Sequence, residues 1–534
     1  MDQGPMRPLV LASSLLLACM ATTARADEPA PSPPQPVEAA PVEPAPAREA
    51  PARAAPAPVP ARTDLALRLL ALEHALLRQP EAFVARKREI ALKVGTATAG
   101  FFMGNFRGAM DAIGEAHALL EQRPWDAQRA ALARLRVLLP AALPLGDVRA
   151  RLATLRLVPL GPAPEGASEL VATATWRPSE QEAPQPAGSA SPAGRASPVA
   201  PAPPAAARAV AAWLEQGVAA ASLPTQPGLW TVEVRLGDVV LHGRTAVVAD
   251  NTPQRLAVAR TALEALPAPV EGTPGGVLPT LQRLARQLVQ GLAGQGGDVV
   301  PDLARALARL EEGVAGLEAQ KPGTPYRPSR AALAGDSHRV TASGQRYRLY
   351  VPPAASGAAD APLPLVLALH GAGGTEDMYF EAYGAGEALR QARARGWVLA
   401  APDDSDASLE VLADLQQLLS IDPARTYLTG HSMGAGAAWR AAIASPQSFT
   451  AVACVAGGWM SAGRPDYSRL GSLPLLSITA SLDMSRRMAE GTARTALAAG
   501  AKVEERLYDD LDHLLVVGCS LPDVFTWLEG HVRR

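Results

Sequence analysis

Residues 421–444 read IDPARTYLTGHSMGAGAAWRAAIA, and this stretch decides the fold of the C-terminal part of the chain. Residues 425–429 have the pattern of a β-strand, and a helical pattern begins near Met433. Gly430-His431-Ser432-Met433-Gly434 joins the two elements. Glycine at both ends of this G-x-S-x-G turn permits a sharp bend that lifts the Ser432 hydroxyl clear of the sheet. The placement at a strand-to-helix junction predicts a nucleophilic serine.

The surrounding sequence predicts an α/β domain over residues 335–534. The run LPLVLAL at 363–369 is continuously apolar, as expected for a strand buried on both faces of a sheet. Helical patterns alternate with such strands, which favours a mainly parallel sheet with helices on both faces. The predicted strands are 345–351, 363–369, 396–401, 425–429, 450–455, 473–479 and 502–508, and the predicted helices are 405–420, 433–444, 485–499 and 515–531.

A nucleophilic serine needs a base, and the base needs an acid that orients it. Two histidines follow Ser432 in the sequence. His513 follows the strand 502–508 and precedes a helix, so we expect it at the carboxyl edge of the sheet, as the base. His531 is expected to be a solvated residue at a helix end.

Asp483 is the predicted acid, because it lies in the loop after the strand 473–479. The order Ser, Asp, His is the one that this architecture uses. Asp509, Asp510 and Asp512 are rivals, but they lie beside His513 in the sequence. There we expect them to cap the following helix or to face solvent.

A tetrahedral intermediate needs backbone N–H donors for its oxyanion. Met433, the residue after the nucleophile, is expected to supply one. The second is expected from the loop that follows 363–369, which reads HGAGG at 370–374. Ala372 is the first choice, with Gly371 or Gly373 as alternatives. His370 is expected to bond the loop rather than to titrate in catalysis.

The C-terminal part resembles the α/β-hydrolase superfamily, and within it the bacterial secreted esterases similar to polyhydroxybutyrate depolymerases and feruloyl esterases. The resemblance rests on YRLYVP at 347–352, LHG at 369–371 and IDPARTYLTGHSMG at 421–434, and it covers about 335–534. It implies serine-dependent hydrolysis of a small or polymeric carboxylic ester through an acyl-enzyme, with no metal or cofactor. These esterases usually have a second glycine after the elbow, where this chain has Ala435.

Two other functions stay open at this stage. A serine peptidase of the prolyl-oligopeptidase type also places a second domain before its hydrolase domain, although 64–320 shows no blade-length repeat. A catalytically inactive envelope-binding protein is the alternative from a different class. A preference for ester over amide substrates would separate an esterase from the peptidase. The presence of all three predicted triad residues argues against the inactive binding protein.

The surroundings of the serine are less sharply predicted. About 17 residues separate the strands 450–455 and 473–479. This spacing leaves no room for a large lid, and we expect an open cleft. Trp459 and Tyr379 are candidates for lining an acyl or aryl site. Cys454 is expected to be a packed thiol, with a Cys454–Cys519 disulfide as the alternative.

The N-terminus has the features of a targeting segment. Residues 9–21, LVLASSLLLACMA, form a short apolar run, and Ala24-Arg25-Ala26 follows as a signal-peptidase pattern. We predict a signal peptide over 1–26 and a periplasmic or secreted protein. A lipoprotein modified at Cys19 is the alternative interpretation.

A linker and a mixed region follow. Residues 27–63 contain 12 prolines and predict an extended linker that could tether the protein to an envelope or membrane. Residues 64–325 predict helices, including one near 126–139, a β-rich stretch at 145–177 and a hairpin at 228–250. A loose Pro/Ala-rich segment interrupts them at 178–209. No motif in this region carries recognisable chemistry.

Composition excludes several functional classes. The chain has 534 residues, 50 Lys and Arg against 52 Asp and Glu, and a net charge of −2. This balance gives no support for nucleic-acid binding, which needs a basic face. Three cysteines exclude a disulfide-rich scaffold and a four-cysteine zinc site.

Overall fold

The computed structural model of the chain describes residues 62–139, 141–148, 156–160, 171–178, 208–209, 224–237, 239–293, 302–321, 323–353 and 361–533. The predicted signal peptide, nearly all of the linker and most of the 178–209 segment lie outside these residues. Their assignments stay predictions. Among the described helices, none combines the length and the hydropathy needed to cross a bilayer.

Helices open the described chain. They are α1 (Arg62–Arg78), α2 (Pro80–Phe102), α3 (Phe106–Leu120) and α4 (Ala127–Ala133). Pro80 lies in the first turn of α2, where its missing N–H has no cost. The side chains of Asn105 and Asp126 accept backbone N–H groups and cap α3 and α4.

Strands follow where a longer helix was expected. They are β1 (Leu135–Leu138), β2 (Ala142–Pro144), β3 (Arg156–Pro159), β4 (Val171–Pro178), β5 (Arg208–Ala209), β6 (Gly228–Leu236) and β7 (Val239–Val248). The helix predicted near 126–139 ends at Ala133, because Leu135 and Val137 bury one face of β1 while β1 pairs with β3.

The predicted hairpin is present as β6 and β7, which pair antiparallel along their length. These strands form the centre of a five-stranded sheet with the order β2-β7-β6-β4-β5. Helices α5 (Thr252–Ala265), α6 (Val277–Leu292), α7 (Leu303–Glu318) and α8 (Arg330–Leu333) lead from it to the C-terminal part.

The C-terminal part alternates strand and helix, as the sequence predicts. Its elements are β8 (Gly335–Val340), β9 (Arg346–Val351), β10 (Leu363–Leu369), α9 (Met378–Glu381), α10 (Tyr383–Arg395), β11 (Val398–Pro402), α11 (Ser408–Leu418), β12 (Ile421–His431), α12 (Met433–Ala444), β13 (Ala451–Val455), β14 (Pro474–Ala480), α13 (Arg486–Ala498), β15 (Lys502–Tyr508) and α14 (Leu515–Glu529). β8 was not predicted as a strand.

These strands form an eight-stranded sheet with the order β15-β14-β13-β12-β10-β11-β9-β8. All neighbours from β11 to β15 pair parallel, and β8 and β9 add an antiparallel edge. The mainly parallel class is therefore confirmed. The chain leaves β10 to one side for β11 and returns to the other side for β12. Such a switch point opens a crevice at the carboxyl ends of the strands, where ligands bind in open α/β sheets.

Two apolar cores flank this sheet, one on each face. In β10, Leu365, Leu367 and Leu369 enter the first core, and Val366 and Ala368 enter the second. The first core also contains α6 and α7 residues, and the second contains α1, α2 and α3 residues. Residues 57–534 accordingly form one compact unit. The predicted boundary near 325–335 does not separate two cores.

Candidate active site

The nucleophile turn is held in an unusual backbone conformation. Ser432 has φ 53° and ψ −114° at the junction of β12 and α12. Positive φ at a non-glycine residue costs about 1–3 kcal/mol and is typical of functional sites. A Cβ on Gly430 would lie 2.2 Å from the Gly434 carbonyl oxygen, and one on Gly434 would lie 2.1 Å from that of Leu369. Both glycines are therefore required by close backbone approach, whereas Ala435 is accommodated in the core.

The structure brings Ser432, His513 and Asp483 together. His513 Nε2 lies 2.9 Å from Ser432 Oγ, and His513 Nδ1 lies 2.7 Å from Asp483 Oδ1. An ionised carboxylate only accepts hydrogen bonds, so the proton of a neutral imidazole belongs on Nδ1. Nε2 is then free to accept the proton of the serine hydroxyl.

Asp483 is held in its ionised form. Burial raises the pKa of its carboxyl group, but the hydrogen bond from His513 and the charge of that ring outweigh burial, and the pKa is lowered. Ser485, which the sequence did not single out, adds further donors. Its N–H donates to Asp483 Oδ1 at 2.8 Å, and its Oγ lies 3.0 Å from both carboxylate oxygens. The Asp-x-Ser spacing, which is typical of an Asx turn, was the available signal.

Two of the three rival carboxylates, those of Asp512 and Asp510, have other partners. Asp512 accepts the N–H groups of Leu514 and Leu515 at 3.2 and 3.1 Å, as expected of a capping residue. Burial raises its pKa to about 6. Asp510 Oδ1 lies 2.8 Å from Arg88 Nη1. His531 Nδ1 lies 2.8 Å from the Trp527 carbonyl oxygen. The His531 imidazole is partly buried against the Trp527 ring.

A second chain of hydrogen bonds, through His431 and Tyr383, supports the site. His431 Nε2 lies 3.0 Å from the His513 carbonyl oxygen, which can only accept, so Nε2 carries the proton. His431 Nδ1 then accepts from the Tyr383 hydroxyl at 2.8 Å, and that hydroxyl accepts the Gly371 N–H at 3.2 Å. Burial and the neighbouring His513 lower the pKa of His431 to about 3, so it is neutral. This chain of hydrogen bonds links the backbone of His513 to the 370–374 loop.

The 370–374 loop reaches the elbow closely. A Cβ on Gly371 would lie 2.8 Å from His431 Nδ1 and 3.2 Å from Ser432 Cβ. Tyr383 accepts the Gly371 N–H, which leaves the N–H groups of Ala372 and Gly373 as the candidate donors of the loop. Among the described residues, the Ala372 N–H has no hydrogen-bond acceptor. Met433 begins α12, where first-turn N–H groups have no intrahelical acceptor.

His370 bonds the loop, as expected. Its Nδ1 lies 2.8 Å from the Gly371 carbonyl oxygen, and its Nε2 lies 2.8 Å from that of Asp403. The Gly374 N–H closes the turn on the Gly371 carbonyl at 2.9 Å.

The two predicted lining residues do not line the site. Tyr379 is fully buried, with its ring 4.9 Å from that of Tyr383. Trp459 packs edge-on against Tyr467 at 6.4 Å and donates its Nε1–H to the Gly463 carbonyl. Neither side chain borders the cavity above Ser432. Tyr383, four residues further along the chain, borders the cavity instead.

A cavity of about 540 Å³ lies above Ser432. Ser432, His513 and the 371–375 loop form its floor, and residues of α1, α2, α3, β1, β7 and α9 contribute to its wall. The short connection between β13 and β14 does exclude a lid at that point. Much of the wall comes from the N-terminal region, which local spacing around the site could not reveal.

The two described cysteines, Cys454 and Cys519, are free thiols, Cys454 buried and Cys519 exposed. The disulfide alternative is therefore wrong for this structure. Burial raises the pKa of the Cys454 thiol. Within the described ranges, no cluster of His, Cys, Asp or Glu is arranged to hold a metal ion.

Comparisons with known proteins found matches among solved structures only. No protein-family model and no curated protein matches the chain. A solved thermostable esterase is 21% identical with a TM-score of 0.33, over 38% of this chain and 64% of its own. An S-formylglutathione hydrolase from Staphylococcus aureus is 15% identical with a TM-score of 0.31, over 36% and 94%. A ferulic acid esterase is 14% identical with a TM-score of 0.31, over 35% and 92%.

These overlaps reach little more than a third of this chain, and the chain spans about 64% of the thermostable esterase. A serine on a strand-to-helix elbow, the order Ser-Asp-His and a glycine-rich loop after an inner strand are the architecture of α/β-hydrolases.

Proposed function

We propose that this protein is a serine hydrolase that cleaves carboxylic esters through an acyl-enzyme on Ser432. One observation carries the proposal: Ser432, His513 and Asp483 are connected at 2.9 and 2.7 Å at the floor of a cavity. A hydroxyl, an imidazole and a buried carboxylate in this sequence of contacts are suited to nucleophilic acyl transfer.

The proton movements follow from the tautomer. His513 Nε2 takes the hydroxyl proton as Ser432 Oγ attacks the ester carbonyl carbon, and Asp483 stabilises the imidazolium that forms. The N–H groups of Ala372 and Met433 donate to the oxyanion. Nε2 then delivers its proton to the departing alkoxide as the carbon–oxygen bond breaks, which leaves the acyl group on Ser432.

Water completes the cycle by the same route. His513 takes a proton from a water molecule, the resulting hydroxide attacks the acyl carbonyl, and Ser432 Oγ recovers the proton as it leaves. The carboxylic acid is released, and the imidazole returns to its neutral form. Every step uses groups of this chain and a single water.

The finer assignments rest on sequence. The motifs at 347–352, 369–371 and 421–434 support a secreted esterase of the kind similar to polyhydroxybutyrate depolymerases and feruloyl esterases. The segment 1–26 supports export, with the linker 27–63 as a tether. Fractionation of cells that express the full chain tests export. A mature protein beginning at Asp27 is expected outside the cytoplasm, and an uncleaved cytoplasmic protein would contradict it. Cys19→Ser should leave this unchanged, whereas a lipoprotein would lose its membrane association.

The enzyme proposal is tested with the full chain, Ser432→Ala and Ser468→Ala, a matched change at an exposed serine. We expect the parent and Ser468→Ala to hydrolyse p-nitrophenyl acetate and to react covalently with a fluorophosphonate. Ser432→Ala should lose the labelling completely and the turnover by at least about a thousandfold. Parent protein that is folded by circular dichroism but neither labelled nor active would overturn the proposal and favour an inactive binding protein. Turnover of peptide amides in preference to esters would favour the peptidase.

A further inference from the structure

The cavity above Ser432 has an apolar body that the N-terminal region supplies. Large apolar side chains of α1, α2 and β1, and of Leu139 just after β1, line the wall. They are Leu65, Leu69, Phe101, Phe102, Val137 and Leu139. Pockets of 300–1,000 Å³ bury most of the surface of a drug-sized ligand. A volume of about 540 Å³ is therefore far larger than an acetyl group needs.

The charged side chains of the wall are bonded to the protein. Arg136 donates to both carboxylate oxygens of Asp64, at 2.7 and 2.5 Å. Arg244 pairs with Glu381, and Arg348 bonds both Glu381 and Asp377, at 2.9 and 2.7 Å. These pairs balance positive against negative charge. The cavity is therefore suited to an uncharged chain rather than to an ionised group.

The apolar wall is attached directly to the loop that carries the proposed oxyanion donor. Gly373, with φ 75°, lies so close to the end of α2 that a Cβ there would be 2.7 Å from the Phe101 ring. Arg62, in the first turn of α1, donates to the Gly373 carbonyl oxygen. On the other side, Arg88 of α2 pairs with Asp510, near His513. The cavity thus begins at the nucleophile and continues between the helices.

We propose that α1, α2 and β1 form the binding site for a long uncharged apolar chain on one side of the scissile ester bond. The inference rests on the proposed esterase function and assigns its substrate class. It also gives the N-terminal region a role in selecting the substrate. Either the acyl or the alcohol side could supply the chain, and the experiment distinguishes the two.

Chain length is the first measurement. Each buried methylene contributes about 0.8 kcal/mol, which corresponds to up to about a fourfold gain in kcat/KM per methylene. With the full chain, we expect kcat/KM to rise along p-nitrophenyl acetate, butyrate, octanoate and dodecanoate if the acyl side enters the cavity. It should rise along ethyl, butyl, octyl and dodecyl acetate if the alcohol side does. A flat or falling series on both sides would overturn the inference.

A pair of Leu→Gln variants in α1 locates the effect. Leu69 borders the cavity, whereas Leu77 of the same helix is 49% exposed on the outer surface. Within the series whose chain enters the cavity, we compare kcat/KM for the twelve-carbon member with kcat/KM for the two-carbon member. We expect Leu69→Gln to lower this ratio by about tenfold. Leu77→Gln should leave both the ratio and the rates unchanged. An equal ratio in the parent and both variants, with both variants folded, would show that the chain binds elsewhere.

The outcomes separate this inference from the esterase proposal. Fluorophosphonate labelling of Ser432 together with acetate turnover, but without chain-length preference, would remove the apolar site and keep the enzyme. Absence of both labelling and turnover would remove the enzyme itself.

Discussion

Ser432 has a strained backbone because the nucleophile must stand above the sheet. The neighbouring Gly430 and Gly434 permit this conformation. The contacts that a Cβ would make show that neither position tolerates a side chain. At Gly434 the obstruction is the Leu369 carbonyl, a backbone atom of an inner strand that cannot move cheaply.

We therefore expect Gly434→Ala to destabilise the protein by about 3 kcal/mol and to abolish fluorophosphonate labelling. Gly491 is the matched control, because a Cβ there meets nothing within 4 Å. As it lies inside α13, Gly491→Ala should stabilise by about 0.5–1 kcal/mol. Urea unfolding and labelling rates measure both effects. Labelling of Gly434→Ala at the parent rate would contradict the close packing of the elbow.

Tyr383 joins the loop and the imidazole through one hydroxyl group. Tyr383→Phe removes that link, and we expect kcat to fall by about fivefold with little change in KM, since a hydrogen bond that positions the site is worth about 1 kcal/mol. Tyr427→Phe is the control. Its hydroxyl donates to the His531 carbonyl at 2.8 Å, away from Ser432. Stability should fall similarly in both variants, so an equal loss of kcat in both would contradict a positioning role.

At the scale of elements, the start of α10 shows how the N-terminal region supports the site. Tyr383, Gly384, Ala385 and Gly386 all have positive φ, between 49° and 82°. Such a run exposes successive N–H groups to one side. Glu73 of α1, which is buried, receives the Ala385 N–H at 3.1 Å. A carboxylate 312 positions earlier in the chain thus stabilises the turn that carries Tyr383.

This contact predicts a pH dependence of stability. Burial raises the pKa of Glu73 from its ordinary 4.5 to about 7, although the N–H groups at 383–385 and Arg390 oppose the shift. The folded state then binds a proton that the unfolded state has lost between pH 4.5 and 7. The free energy of unfolding should fall by about 3 kcal/mol as the pH rises through this window.

Glu73→Gln keeps an oxygen acceptor and removes the titration. We expect this variant to lose about 3 kcal/mol of the stability difference between pH 4.5 and pH 7 that the parent shows. Glu89→Gln is a suitable control, because Glu89 lies exposed on α2. Urea unfolding at both pH values measures the change. Identical pH profiles in the parent and Glu73→Gln would show that the Glu73 carboxyl group titrates normally.

At the scale of the whole molecule, each face of the large sheet packs against helices of the N-terminal region and helices of the C-terminal part. A structure with shared cores is expected to unfold in one cooperative transition. Loss of packing in the N-terminal region should therefore also remove the activity, even far from the cavity.

Leu288 of α6, which is fully buried, tests this. Leu288→Ala should cost about 2–5 kcal/mol and lower the midpoints of thermal unfolding and of activity loss by the same number of degrees. Leu497 of α13 is 43% exposed, so Leu497→Ala should change neither midpoint by much. An activity midpoint that stays constant while unfolding shifts would indicate two independent units.

The sequence by itself determined the elements that alternate along the C-terminal part. Strand and helix patterns depend on neighbours a few residues away, and the strands β10 and β15 have the predicted bounds. Ser432, Asp483 and His513 could also be selected in this way, because each follows a strand whose carboxyl end lies at one edge of a parallel sheet. The early end of the helix at Ala133 and the strand β8 were missed, since partners distant in sequence decide both.

The tertiary structure alone decided what surrounds the serine. Ala372 and Gly373 rather than Gly371 are left as candidate donors because Tyr383 occupies the Gly371 N–H. Tyr379 and Tyr383 are close in sequence, and only packing shows which one borders the cavity. A large part of the cavity wall comes from α1 and α2, more than 300 residues before the elbow. No local pattern encodes such contacts, because they form only when both apolar faces of the sheet are buried.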